Sequence, residues 1–246
     1  MLKFEDAAAV HPLDPGVIVL VDGSMPALAP PLDAAVDAEW QAALMRMAPV
    51  MRLFNGRVFN AVDITPTRIT GHLTEYRRVV AQMARPSLFD MLQVRSLAVC
   101  GLLTCPDGVV FGRRQAGAAY QAGLWQLPPA GSVDAGCVGP DGRVDINQQL
   151  LTELEEELGL TADTVTVAEP LCVVEHEGSR VSDLGIRLHT TLAGSAIIER
   201  HARAGNAEYQ PICVVAIEAL SAFLGQADGC MVPSASILLR HAGLLA

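Results

Sequence analysis

Lysine is almost missing from this chain of 246 residues: Lys3 is the single one, and every other basic side chain apart from histidine is arginine. Charged types of both signs reach only 18%, below the roughly 25% of an average soluble domain, while apolar types make up 51%. That balance excludes a disordered or linker-like chain. The net charge is −10, with no Lys/Arg cluster to offset it. No nucleic-acid footprint and no docking to an anionic membrane are therefore expected. Long hydrophobic runs are missing too. Mean hydropathy is +0.33, yet the longest apolar stretches, such as Ser96–Cys105, last about ten residues and run into Pro-Asp-Gly. A spanning helix needs ~20. The opening Met-Leu-Lys-Phe-Glu-Asp runs into acid rather than a long apolar region, so no signal peptide is expected. The cysteines (Cys100, Cys105, Cys137, Cys172, Cys213, Cys230) form no Cys-x-x-Cys pair and no finger spacing with histidine, which predicts reduced, buried thiols in a cytoplasmic setting. Repeats and low-complexity tracts are absent.

What is there divides in two. Residues 1–92 read as a small α+β segment. Val17–Val21 is a short apolar run closed by Asp22-Gly23, as a buried strand would be. Asp33 opens a helix through Met47, with Val36, Trp40, Leu44 and Met47 on one face. Arg57–His72 alternates like strand, broken by Pro66. Leu73–Met83 has helical period and stops at Arg85-Pro86. Residues 93–246 begin with a hairpin, Ser96–Thr104 and Val109–Arg113 about Pro106-Asp107-Gly108. A Pro-Pro-Ala-Gly loop (Pro128–Gly131) then leads to a helix at Asn147–Leu158, closed by Gly159. Thr164–His176, Arg180–Leu192 and Cys213–Ile217 read as strands, and Glu218–Leu224 and Ser234–Ala242 as short helices. This order predicts a mixed sheet sandwiched between helices.

The helix at Asn147–Leu158 carries the chemistry. Ile146, Leu150, Leu151, Leu154 and Leu158 make an apolar stripe. Glu153, Glu156 and Glu157 fall at i, i+3 and i+4, so their carboxylates share a face. Like charges so spaced repel by a few tenths of a kcal/mol per pair, and no basic residue sits one turn away. A divalent cation would relieve them, since Mg²⁺ takes carboxylate oxygens; a solvated acidic face is the other reading of the same spacing. Glu155 points away from the trio.

Context favours the cation. Leu124–Gly131 before the helix and Glu153–Leu160 within it resemble the Nudix box, G-x5-E-x7-R-E-U-x-E-E-x-G-U with U aliphatic. The resemblance covers roughly Gln93 onward and implies a Nudix-type α/β/α sandwich with a mixed β-sheet, preceded here by the α+β segment. Three departures stand out. Thr152 occupies the arginine position. Seven extra residues lie between Gly131 and Glu153. The first glutamate is missing: counting from either end lands on Cys137 or Val144, leaving Asp141 and Asp145 as stand-ins. In the family that glutamate and the arginine brace the loop while the paired glutamates bind metal, so metal binding is expected to survive with rerouted support.

The resemblance implies a Mg²⁺-dependent hydrolase (Mn²⁺ as substitute) of nucleoside diphosphates linked to another group. Glu153, Glu156 and Glu157 would hold the metal and carry the catalysis, with Gly131 and Glu208 at the substrate. Glu156, Glu175 and Glu208 are the candidates for general base. Arg113 and Arg114 could fork a phosphate, although strand alternation points at most one of them inward. Trp125 reads as packing, and Tyr120 is open between packing and stacking on a base. The histidines (His11, His72, His176, His189, His201, His241) lack ligand spacing and read as structural or exposed.

For the substrate, Met51–Phe59, Leu73–Arg77, Gly205–Glu208 and Val232–Ala235 are similar to a eukaryotic Nudix subgroup. Its mammalian member hydrolyses UDP-glucose and UDP-galactose to UMP and sugar 1-phosphate. A UDP-sugar is thus the first expectation, a small nucleotide the expected partner, and a homodimer is compatible with the sequence. ADP-ribose or a CoA derivative would leave the same box. A degenerate domain that binds a nucleotide as sensor or scaffold is favoured by Thr152 and the missing glutamate, and opposed by the intact trio. An acidic interaction protein without a ligand leaves the Pro-Pro-Ala-Gly loop without a purpose.

Overall fold

Apolar runs too short for a membrane settle into strands and amphipathic helices around two cores. The structure, a computed structural model, describes residues 7–47, 53–118, 120–227 and 229–245. Met51 and Arg52 of the subgroup-like motif lie outside them. From the N-terminus come β1 (Ala7–Pro12), β2 (Ile18–Val21), α1 (Pro30–Met47), β3 (Arg57–Ile64), β4 (Arg68–Glu75), α2 (Tyr76–Ala84) and the single turn α3 (Phe89–Leu92). There follow β5 (Leu97–Cys105), β6 (Gly108–Arg114), β7 (Trp125–Gln126), β8 (Ala130–Ser132) and α4 (Ile146–Leu158). The chain closes with β9 (Thr166–His176), β10 (Ser182–His189), α5 (Gly194–Ala204), β11 (Tyr209–Val215), α6 (Leu220–Gln226) and α7 (Pro233–His241).

The large sheet runs β1-β9-β10-β5-β6-β11, with β8 added to β5 and β7 to β6. Only β10 and β5 are parallel among its pairs, so it is mixed. One face packs on α4 and α5 through Leu150, Leu154, Leu158 and Ile197. The other packs on α6 and α7 through Leu220, Leu238 and Leu239. Helices on both faces of a mixed sheet are the sandwich expected. No helix among the described residues is long and apolar enough to cross a membrane. Four cysteines are buried, Cys213 is half-buried and Cys230 exposed, all as free thiols.

A three-stranded sheet, β2-β4-β3, belongs to the N-terminal stretch. It is fused to the rest: Val19, Phe59, Ala61 and Ile69 share one core with Val99 and Leu154, and β1 pairs along β9. Two readings need correction. Helix was expected from Leu73, but Leu73 and Thr74 pair with Phe59 and Val58, so cross-strand pairing holds the chain extended until Tyr76 starts α2. Strand β1 and helix α5 carried no expectation. The first is alanine-rich and takes its strand character from β9, and the second buries only Gly194 and Ile197.

The sheet has an opening. Strands β5 and β6 pair only at Thr104↔Val109 and Cys105↔Gly108, beside their turn. Beyond that they diverge; β8 covers the exposed edge of β5 and β7 that of β6. Between β8 and β7 the sheet stays open as a wedge, and side chains of α4 and β6, Glu153 and Arg114, border it.

Candidate active site

Asp145 caps α4 by accepting from the Gln148 N–H at 3.0 Å, and Gly159 ends the helix at φ +64, where Ala204 and the Arg200 carbonyl leave no room for a Cβ. Between those caps the helix aims Glu153 and Glu157 into the wedge. Their i, i+4 spacing stacks them. Glu156, a further 100° round, is exposed.

Glu157 is fully buried. Its Oε2 accepts the Ala130 N–H at 2.9 Å, the backbone of the Pro-Pro-Ala-Gly loop, while Oε1 has no hydrogen-bond partner among the described residues. Burial pushes its carboxyl well above the ordinary range, and the charges of Glu208 and Glu153 add to this. Glu153 lies against Gly131 so closely that a Cβ there would stand 1.9 Å from its Oε1. Burial raises Glu153 to about 7, with Glu156 and Glu208 contributing, against the hydrogen bond from Gln149.

That bond answers the missing glutamate. Gln149 Nε2 donates to Glu153 Oε1 at 2.7 Å, and Gln149 Oε1 accepts from the Asp134 N–H at 3.1 Å and the Cys137 thiol at 3.2 Å. The inserted loop thus supports Glu153 through Gln149. Neither suggested stand-in does so: Asp145 is the helix cap, and Asp141 is exposed beside Arg143. Thr152, at the arginine position, bonds only back to the Gln148 carbonyl.

Across the wedge, Arg114 donates from Nε to the Tyr120 carbonyl at 3.0 Å and from Nη1 to Gln126 Oε1 at 2.8 Å. It pairs with Glu208 at 2.9 Å. Arg113 points the other way, exposed and bonded to the Gly123 carbonyl. His201 stands between the carbonyls of Glu157 and Tyr209, at 2.8 and 3.1 Å. Glu175 lies apart, paired with Arg180 and Arg95 at 3.0 and 3.5 Å. Trp125 packs on Phe223.

A cavity of about 640 Å³ fills the opening, lined by Glu153, Gly131, Arg114, Glu208, Tyr120 and Asp183 among others. The structure therefore brings together Glu153, Gly131, Arg114 and Glu208, with Glu157 buried alongside, and leaves out Glu156, Arg113 and Glu175. Sequence reading missed Asp183. It is buried, and its Oδ2 accepts from His176 Nε2 and Ser234 Oγ, each at 2.7 Å. Burial alone would raise the Asp183 carboxyl; His176 and Ser234 hold it below its ordinary value. Its partners come from β9 and α7, so no sequence spacing announces them.

The donor set fits a hard cation in part. A buried carboxylate with an orphaned oxygen beside a half-buried one is an unfavourable arrangement unless a cation or proton offsets them. No group of three or more Asp, Glu, His or Cys side chains converges to hold a metal among the described residues. Glu153 and Glu157 are the ligands the structure offers.

No family model matches the sequence, and no curated protein matches it. Solved structures do. A MutT protein from Methanosarcina mazei Go1 is 18% identical over 60% of this chain and 93% of its own, with a TM-score of 0.43. The Nudix hydrolase RenU from M. smegmatis is 19% identical over 61% and 85%, TM-score 0.41. An ADP-ribose pyrophosphatase from Streptococcus suis 89-1591 is 15% identical over 61% and 92%, TM-score 0.36. At these identities the likeness is to the course of the chain, and what the site does is argued from its side chains.

Proposed function

We propose that this chain is a Nudix-type pyrophosphohydrolase that cleaves the diphosphate bridge of a nucleoside diphosphate linked to a second group. The observation that carries the reading is Glu157: a fully buried carboxylate with an oxygen unpartnered among the described residues, one turn from the half-buried carboxylate of Glu153, beside the cavity that Arg114 enters. Structural acids are seldom left so. In this reading residues 93–246 form the hydrolase unit and residues 1–92 its accessory segment.

Glu153 and Glu157 would hold Mg²⁺ or Mn²⁺; Glu156, the third carboxylate of the expected trio, is exposed and lies outside the cavity lining. A bound divalent cation supplies charge neutralisation at the bridging oxygens and lowers the pKa of a water. Arg114, fixed by Gln126 and Glu208, presents its remaining donors to a phosphate. Glu208 lines the cavity beside Arg114 and would accept a proton there. Gly131 permits the close approach of Glu153. A UDP-sugar giving UMP and sugar 1-phosphate is the preferred substrate reading, with ADP-ribose as the alternative.

The test is a panel of UDP-glucose, ADP-ribose, dinucleoside polyphosphates, NADH and CoA with Mg²⁺ or Mn²⁺, run on the wild type and on Glu157→Gln. Turnover of a nucleoside diphosphate linked to another group, lost by at least about a hundredfold in the variant with its melting temperature kept, supports the reading. The exposed position of Glu156 favours a second one, a nucleotide sensor. Nucleotide binding without turnover of any compound would establish that instead.

A further inference from the structure

The cavity has two chemically different sides, and the second is not explained by the carboxylate pair. Gly131 faces α4, where Glu153 covers it. Neighbouring residues along a strand face opposite ways, so Ser132 faces α7. Ser132 is in register with Ala98, and Ala98 with Asp183. These three therefore form a row across adjacent strands on the α7 side, spanning about 10 Å at the usual spacing of ~4.8 Å per strand. Ser234 of α7 reaches Asp183 on this side.

Three features of that side point to a ligand. Ser96, two residues before Ala98, lines the cavity and is 2% exposed, yet its hydroxyl has no hydrogen-bond partner among the described residues. Such an orphan is unfavourable unless a ligand or water meets it. Asp183 also lines the cavity, and His176 and Ser234 both donate to its Oδ2. Met83, Ala98 and Val181 supply an apolar wall beside them. Arg114 is the sole Lys or Arg among the lining residues, and it is already paired with Glu208.

We propose that Ser96 and Asp183 form a subsite for an uncharged, hydroxyl-rich group, a glycosyl or ribosyl moiety linked to the diphosphate. A carboxylate takes hydrogen bonds from hydroxyls and repels a further phosphate. The Ser96 hydroxyl both donates and accepts. The site thus selects diphosphates ending in a sugar over nucleoside triphosphates. This rests on the hydrolase reading for the position of the diphosphate, and deepens it by naming what lies beyond.

The experiment is calorimetric binding in EDTA, without turnover, using UDP-glucose, ADP-ribose, UDP and UTP as probes. One of the two sugar nucleotides is expected to bind at least tenfold tighter than UTP; which one tells glucosyl from ribosyl. Ser96→Ala should bind that probe about tenfold more weakly, leave UDP unchanged, and melt at the wild-type temperature or above, because it removes a hydroxyl without a partner. Asp183→Asn should weaken the same probe and tighten UTP. Unchanged binding in both variants, UTP binding as tightly as either sugar nucleotide, or no binding of either sugar nucleotide overturns the proposal. Magnesium-dependent hydrolysis is measured separately. Binding lost in Ser96→Ala without any wild-type turnover keeps the subsite and removes the hydrolase, and turnover with unaltered binding in both variants does the reverse.

Discussion

Glu153→Gln isolates the electrostatic stress at the centre of the site. The carboxyl stands at about 7 against its ordinary 4.5. A raised acid holds its proton more tightly in the folded chain than in the unfolded one. Its contribution is therefore neutral below about 4.5, and stability falls as pH rises through about 7. Linkage puts the loss at about 1 kcal/mol at pH 5.5 and about 3 kcal/mol at pH 8. Glutamine cannot ionise and still accepts from Gln149. The variant should thus be the more stable protein in EDTA, with its advantage widening by about 2 kcal/mol between those pH values. Urea unfolding of both proteins at the two pH values measures this. An advantage that stays constant with pH refutes the reasoning, since the Glu153 carboxylate would then not be desolvated. Millimolar Mg²⁺ should raise the wild-type midpoint at pH 8 more than the variant's.

Gly131→Ala drives a methyl to within 1.9 Å of Glu153 Oε1. The carboxylate, the far end of a flexible side chain, must swing aside, with an expected loss of at least tenfold in turnover and less than about 1 kcal/mol in stability, read by initial rates and melting. Arg114→Ala leaves Glu208 and Gln126 without their cation, and should weaken UDP binding by tenfold or more in calorimetry. Arg113→Ala, on the outer side of the same strand, should change binding and stability by less than about 0.5 kcal/mol; equal effects from the two arginines would contradict their placement. Gln149→Ala removes the brace of Glu153 and should lower Mg²⁺ affinity by about tenfold or more, measured by titrating the metal against melting temperature.

Local signals carried much of the architecture. The Pro-Asp-Gly turn between apolar runs placed the hairpin of β5 and β6, and Gly159 marked the end of α4; Asp145, read as a stand-in for the missing glutamate, is instead the cap at its start. Glu153 and Glu157 were legible too: the helical repeat alone aligns them. What escaped depends on residues far apart in the chain. Strand β1 is strand only because β9 pairs with it. The orientation of Glu156 is decided by which side of α4 the sheet covers, and periodicity cannot see the sheet. Gln149 looks like an ordinary surface glutamine until the inserted loop folds over it. The union of His176, Asp183 and Ser234 draws on three elements, and nothing in their spacing marks it.

The inserted loop has a consequence for how this chain can be divided. Val144 donates to the Val19 carbonyl, Val21 to that of Gly142, and Phe59 to that of Val133, so strands before residue 92 clasp the very segment that steadies Gln149. The glutamate helix is therefore not a portable cassette. Cutting the chain at the seam its composition suggests would unclasp the loop that precedes the carboxylates and leave Glu153 without its prop, although among the described residues no severed one hydrogen-bonds that side chain.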